Sequence, residues 1–283
     1  MKLVNAAQYF DRMACVDAYT GKDLFHGQFD LFDDSKRDGS TVTRRIISTG
    51  PEPSLPPRGV INVGGHIYVL GKNHTDWFDS SVIREKFVLF PVVELVTVST
   101  EEQALANTGG QMYGGRVWVK NLKEAATSSE KFPIYNIYAS LTETVVPNQL
   151  VYVDNRWHRV LTVFQSAAGF LAMEAAELDT DAITTATLVL RGGHTTYNPV
   201  TDVYTVSVGV SVAILVERFQ TFYVYETAAT PRPESGDIRA TFLQAEVATL
   251  EVGSTFVTGG KTYEVISAVQ HGTAWHAQAR LVS

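Results

Sequence analysis

The chain of 283 residues has a single cysteine, Cys15. One cysteine excludes an intrachain disulfide and also the zinc sites that are built from paired cysteines. We expect Cys15 to be a small, buried or half-buried thiol. A hydrophobic N-terminal segment is lacking too, because the sequence turns polar after the first few residues. We therefore expect no export signal, and synthesis in the cytoplasm.

Positive charge is scarce. The chain has 23 Lys and Arg residues against 30 Asp and Glu residues, a formal net charge of −7. Proteins that read a nucleic-acid sequence gather Lys and Arg on one face to neutralise phosphates, so this balance argues against that class. It is compatible with a surface past which DNA slides, because like charge prevents sticking.

The sequence also lacks the familiar catalytic motifs. It contains no Gly-x-Ser-x-Gly elbow, no complete phosphate-binding loop and no His-Glu-x-x-His helix. Gly259-Gly260-Lys261-Thr262 is similar to the end of a phosphate loop, but the required earlier glycine is missing. The side chains that might be assembled into a metal site are His66, His74, Asp76, His158, His271 and His276. None has helical ligand spacing, so we expect structural histidines, no catalytic, metal or cofactor site, and no enzyme activity.

One short sequence motif occurs three times. It consists of a turn pair, two spacer residues, an aromatic ring and an aliphatic residue two positions later, and its copies begin at Gly64, Asp154 and Gly259. A Gly-Gly or Asp-Asn pair supplies the positive φ angles that a two-residue β-hairpin requires. The sequence therefore predicts three hairpins and suggests one module used three times.

The wider pattern predicts a mainly β protein. Short alternating runs separated by turn residues favour two or three small antiparallel β-barrel or sandwich modules, with one or two short helices. One helix is predicted at residues 100–106, where Thr100 can cap it and Glu101 and Glu102 meet its positive end; a weaker candidate lies at residues 6–13. The glycine-rich residues 107–115 are predicted to be a linker. The expected modules are residues 1–106, 107–182 and 183–283.

The last third of the chain has a recognisable order of elements. Residues 188–191 form a strand pattern ending in arginine, and a turn at 197–202 and an aliphatic run at 206–216 follow. A Gly-Asp pair then opens residues 236–238, and the segment closes with 252–257 and 259–265. In this order residues 187–283 resemble the head-closure or head-tail connector proteins of tailed bacteriophages, called stoppers. Those proteins are single-domain, so the first 186 residues depart from the pattern.

The resemblance implies a structural virion protein of the phage neck, made in the host cytoplasm. It implies a ring below the portal or adaptor protein that closes the head, retains DNA and docks the tail. The implied partners are further copies in a six-fold or twelve-fold ring, the portal or adaptor protein, the tail terminator or tail tube protein, and packaged double-stranded DNA in non-specific contact. The resemblance implies no membrane association and no bound cofactor.

Two polar loops are the candidates for contact with the channel or a docking partner. Their candidate residues are Asp33, Asp34, Lys36, Arg37, Asp38, Arg232, Glu234 and Asp237. The alternative function is a phage tail protein or a receptor-binding or carbohydrate-binding virion protein. The aromatic residues Phe219, Phe222, Tyr223 and Tyr225 would suit a sugar platform, but we attribute them to core and subunit packing.

Overall fold

The computed structural model describes residues 12–32, 44–92, 94–118, 123–124, 131–132, 134–167, 169–191, 196–198, 200, 203–205, 209–218 and 236–282. Within these residues the protein is mainly β, as predicted, with three closed six-stranded antiparallel barrels and one short helix. The chain divides into two compact units. The first contains the first two barrels, and the second contains the helix and the third barrel.

The first barrel is formed by β1 to β6. These strands are β1 (Arg12–Asp17), β2 (Asp23–Phe32), β3 (Arg44–Thr49), β4 (Val60–Val63), β5 (His66–Phe78) and β6 (Ser81–Val92). They pair in the order β1-β2-β3-β6-β5-β4, and β4 closes the barrel against β1. Its core includes Cys15, Ile47, Ile61, Tyr68 and Leu89. β2 pairs with β3 in antiparallel fashion, and residues 33–43 between them lie outside the described residues.

The second barrel uses strands on both sides of the helix. The elements are β7 (Glu94–Ser99), α1 (Glu101–Leu105), β8 (Gly110–Trp118), β9 (Lys123–Glu124), β10 (Lys131–Phe132), β11 (Ile134–Ala139), β12 (Leu150–Val153), β13 (Arg156–Gln165) and β14 (Leu171–Glu177). The barrel order is β11-β14-β13-β12-β7-β8, and β9 pairs with β10 in a separate ribbon. Its core includes Val96, Ile137, Val151, Val160 and Met173.

The third barrel is the last one along the described chain. Its region contains β15 (Ile183–Val189), β16 (Thr196–Asn198), β17 (Val203–Thr205), β18 (Val210–Arg218), β19 (Ile238–Leu243), β20 (Thr255–Thr258), β21 (Lys261–His271) and β22 (Ala274–Leu281). The barrel order is β15-β18-β19-β22-β21-β20, and β16 and β17 form a separate two-stranded sheet. Its core includes Leu188, Ile214, Phe242, Phe256 and Val265.

All three barrels have the same strand order. When the six strands of each are numbered along the chain, each closes as first, second, third, sixth, fifth and fourth. The fourth and fifth strands are the predicted hairpins, with facing pairs Val63 and His66, Val153 and Arg156, and Thr258 and Lys261. Both turn residues have positive φ in each case, for example 56° and 73° at Gly259 and Gly260. The hairpin predictions are confirmed, and the shared order supports one repeated module.

The predicted glycine linker at residues 107–115 is wrong, because Gly110 begins β8. The glycines there serve strand packing. A Cβ atom on Gly114 would lie 3.2 Å from both the carbonyl oxygen of Tyr138 and Cγ2 of Val96. The first module boundary also differs from the predicted residue 106, since β7 already belongs to the second barrel.

The helix prediction at residues 100–106 is confirmed by α1. The Thr100 side chain accepts a hydrogen bond from the backbone of Gln103, and the Gln103 side chain accepts one from the backbone of Thr100. This capping box satisfies two N–H groups at the helix start. In the weaker candidate, residues 6–11 lie outside the described residues, and Arg12 and Met13 lie in β1.

Candidate functional site

Most of the predicted loop residues lie outside the described residues: Asp33, Asp34, Lys36, Arg37, Asp38, Arg232 and Glu234, together with the aromatic group Phe219, Phe222, Tyr223 and Tyr225. Asp237 is described, and it stands directly before β19. Its buried carboxylate accepts hydrogen bonds from Gln278 at 3.1 Å and from Nε of Arg280 at 3.3 Å. These contacts hold the start of β19 against β22, and a docking role for Asp237 stays a prediction.

The structure brings few of the candidate metal ligands together. Rings of His271 and His276 lie 6.1 Å apart, whereas His158 is fully buried against the edge of Tyr135. Asp76 forms an ion pair with Lys86 at 2.8 Å. Among the described residues, no group of three or more His, Cys, Asp or Glu side chains is arranged to hold a metal ion.

Cys15 is buried, as expected for a structural thiol. Burial raises the pKa of Cys15 to about 11. The thiol is therefore protonated at neutral pH and is a poor nucleophile there.

A set of buried charges in the described part of the second unit surrounds Arg239. This Arg239 cluster consists of Glu101 on α1, Glu217 on β18, Arg239 and Thr241 on β19, and His276 on β22. Nη2 of Arg239 lies 2.9 Å from Oε1 of Glu101, and Nη1 lies 3.2 Å from Oε2 of Glu217. The Thr241 hydroxyl donates to Oε2 of Glu101 at 3.2 Å. The cluster thus fixes α1 to the third barrel through polar contacts.

His276 is the titratable partner in the Arg239 cluster. Its Nδ1 lies 2.9 Å from Nη2 of Arg239, which suits a neutral imidazole that accepts a hydrogen bond. Burial is the main cause that lowers the pKa of His276 below its usual 6.5, and the charges of Arg239 and His271 lower it further, while Glu101 and Glu102 oppose them. The arrangement favours a neutral histidine at physiological pH.

Sequence reasoning assigned Glu101 only to the helix dipole and did not identify the cluster. Arg239 and Glu217 carry no motif, and Glu101 lies 138 residues before Arg239. Their one sequence signal is that charged residues stand within runs that are otherwise apolar, at Glu217 and Arg239. Only the pairing of β18 with β19, which sets Glu217 opposite Arg239, brings them together.

An open groove lies next to α1 in the second unit. This α1 groove has a volume of about 590 Å³. It is lined by Glu102, Gln103, Ala106, Thr108, Leu243, Gln244, Ala245, Ala248 and Thr273. Its apolar lining residues are Ala106, Leu243, Ala245 and Ala248; the other five are polar, and Glu102 among them contributes a carboxylate.

A second surface feature belongs to the first unit. Residues 73–84, which we name the β5–β6 arm, continue the hairpin beyond the place where β3 pairs with β6, because that pairing ends at Glu85. Trp77 is 64% exposed and Ile83 is 54% exposed. A register shift after Asp76 leaves Ile83 as the extra residue of a bulge. The arm therefore presents two large apolar side chains to solvent.

Polar and aromatic contacts join the first and second barrels within the first unit. Arg58 forms a two-pronged ion pair with Glu143, in which Nε donates to Oε1 at 3.0 Å and Nη2 donates to Oε2 at 3.0 Å. Its guanidinium stacks 3.9 Å from the centre of the Tyr19 ring. The Tyr19 hydroxyl is 3.3 Å from Glu143, and burial is the main cause that raises its pKa to about 12. The phenol therefore stays a hydrogen-bond donor.

Among the described residues, the contacts above are structural, and the surface features are the α1 groove and the β5–β6 arm. No helix in the described part of the chain is long and apolar enough to cross a membrane. Comparison with protein-family models, with curated proteins and with solved structures gives no match to this chain.

Proposed function

We propose that this protein is a structural virion protein of a tailed-phage neck. It forms a ring below the portal or adaptor protein, where it closes the head, retains DNA and docks the tail. The observation that carries the proposal is the threefold use of one closed six-stranded barrel. The third copy spans the segment whose order of elements resembles the head-closure proteins.

Closed barrels suit a protein that must assemble in one defined way. Closure pairs every strand of a barrel and removes the open sheet edges that cause non-specific association. Contacts between copies then depend on loops and protruding arms. A contact that joins two different patches on neighbouring copies produces a ring when its rotation closes.

The charge balance also supports a channel role. A net charge of −7 over the chain disfavours tight binding to phosphates. A bore lined by such a protein holds DNA by confinement and lets it pass at ejection, because repulsion limits sticking.

The mass and symmetry of the purified assembly test the ring. We expect a particle of six or twelve chains with an open bore in class-averaged electron micrographs. A protein that stays monomeric at every concentration and in the virion contradicts the proposal.

Location in the virion tests the neck assignment. Gold label directed against this chain is expected at the head-tail junction of purified particles. Label at the fibre tips instead supports the alternative, a receptor-binding or carbohydrate-binding protein.

A further inference from the structure

The β5–β6 arm carries exposed apolar area that its own barrel does not cover. Trp77 and Ile83 are both more than half exposed, and residues 81–84 pair only with β5 among the described strands. Two large apolar side chains that protrude together on one arm offer a contact surface, and tryptophan is among the residues enriched at interface hot spots.

The α1 groove has the opposite shape. It is concave, with a volume of about 590 Å³, and its lining includes Ala106, Leu243, Ala245 and Ala248. Cavities of this size accommodate bulky apolar groups. Ala106, Ala245 and Ala248 are exposed, so their methyl groups are accessible to an incoming side chain.

The two features also have complementary charge. Arg84, which is exposed, stands next to Ile83 on the arm, and Glu102 lies in the lining of the groove. A protruding apolar tip with an arginine therefore matches a concavity that offers three exposed alanines and a carboxylate. Such complementarity orients partners and sets the register between them.

We propose that the β5–β6 arm of one copy docks into the α1 groove of the next copy. The contact is heterologous, since the two patches differ, and it can therefore continue around a ring. This inference rests on the proposed function for the number of copies, and it names the surfaces through which they associate. Trp77 and Ile83 fill the groove, and Arg84 lies against Glu102.

Single substitutions test each side of the contact by analytical ultracentrifugation of the full chain. Trp77→Ala removes the main apolar contact, and Ala248→Trp fills the groove. We expect each to weaken association at least about tenfold, the effect of losing an interface hot spot. The matched control is Val210→Ala, at a residue that is 58% exposed elsewhere on the surface, and it leaves association unchanged. Circular dichroism verifies that each variant keeps its β structure.

Mixing the two defective variants tests whether the contact is heterologous. Trp77→Ala retains an intact groove, and Ala248→Trp retains an intact arm, so one productive contact remains possible between them. We expect a one-to-one dimer in the mixture and monomers of each variant alone. Failure of the mixture to associate contradicts arm-to-groove docking.

Charge exchange tests the register. Arg84→Glu and Glu102→Arg are each expected to weaken association, and the double variant is expected to recover most of it. No recovery contradicts the pairing of these two residues.

The results separate this inference from the proposed function. A wild-type ring that persists unchanged with Trp77→Ala and Ala248→Trp overturns the arm-and-groove contact and leaves the neck ring standing. A wild-type chain that never associates overturns both.

Discussion

At the scale of single residues, the Arg239 cluster is a buried set of ion pairs whose loss is expected to destabilise the second unit. Arg239 is 5% exposed, and it stands between two buried carboxylates, Glu101 and Glu217. Removal of one partner of a buried ion pair leaves a charge without compensation in a poorly polarisable environment. A buried ion pair is therefore more sensitive to truncation than an exposed pair.

Arg239→Met is expected to lower the free energy of unfolding of the second unit by about 3 kcal/mol, because it leaves both carboxylates without the guanidinium. Urea unfolding at neutral pH, followed by circular dichroism, measures the change. The control is Arg218→Met, which breaks the Arg218–Asp179 ion pair, whose side chains are 54% and 48% exposed, and it should cost less than about 1 kcal/mol. Equal losses of stability from the two substitutions would show that the buried cluster contributes no more than an exposed ion pair.

His276 makes stability depend on pH. Its pKa is below 6.5 in the folded protein, so the unfolded chain binds the proton more tightly. The histidine therefore has no effect well above its unfolded pKa of 6.5, and it destabilises the fold as the pH falls from there towards the folded pKa. Glu101, Glu102, Arg239 and His271 are the charged or titratable groups that act on it.

His276→Gln removes this proton linkage, while the amide oxygen can still accept from Arg239. We expect the variant to lose less stability than the wild type between about pH 7.5 and pH 5.5. Urea unfolding across that range measures the difference. A steeper loss in the variant would mean that the sign of the His276 pKa shift is wrong.

At the scale of elements, the three hairpins between the fourth and fifth barrel strands are set by local backbone chemistry. Gly259 and Gly260 have φ of 56° and 73°, a region that costs an L-residue with a Cβ atom conformational energy. A Cβ atom on Gly260 would meet nothing within 4 Å, so space is not the constraint. Backbone conformation alone accounts for glycine at this position.

Gly260→Ala is expected to destabilise the third barrel by about 1 kcal/mol through backbone strain. Gly50→Ala is the matched control, because Gly50 is equally open and does not have a positive φ in the left-handed region. We expect the control to be neutral or slightly stabilising. Thermal or urea unfolding of both variants measures the difference in stability. If Gly260→Ala leaves the stability unchanged, the positive φ does not account for glycine at this position.

At the scale of the whole molecule, the first two barrels share an apolar cluster. Phe90 of β6 lies 4.8 Å from the ring of Tyr138 on β11 and 5.7 Å from Phe170, which precedes β14. Phe90 and Phe170 are 4% and 1% exposed. Loss of this contact should weaken both barrels of the first unit together.

Phe90→Ala is expected to cost about 3 to 5 kcal/mol, the usual effect of a large-to-small change in a core. Hydrogen exchange followed by mass spectrometry should show faster exchange in strands of both the first and the second barrel, with β19 and β22 unaffected. Phe242→Ala, in the core of the third barrel, is the control. It should speed exchange in β19 and β22 and leave the first two barrels unaffected. Faster exchange confined to the first barrel would mean that the two barrels open independently.

The sequence by itself determined the features that depend on neighbours along the chain. The β class, the helix capped by Thr100 and the hairpins at Gly64, Asp154 and Gly259 follow from alternation, capping chemistry and turn residues, which act over a few residues. The glycines of residues 110–115 were misread as a linker, since glycine indicates a loop locally but also permits close packing of strands.

Only the tertiary structure decided which distant residues meet. Barrel closure joins the first strand of each module to the fourth. The pairing of β18 with β19 sets Glu217 opposite Arg239, and α1 places Glu101 on the other side of the guanidinium. The fold also leaves Trp77 on an exposed arm and forms a groove beside α1. These outcomes depend on strand pairing and register across many residues, which alternation along a single strand does not encode.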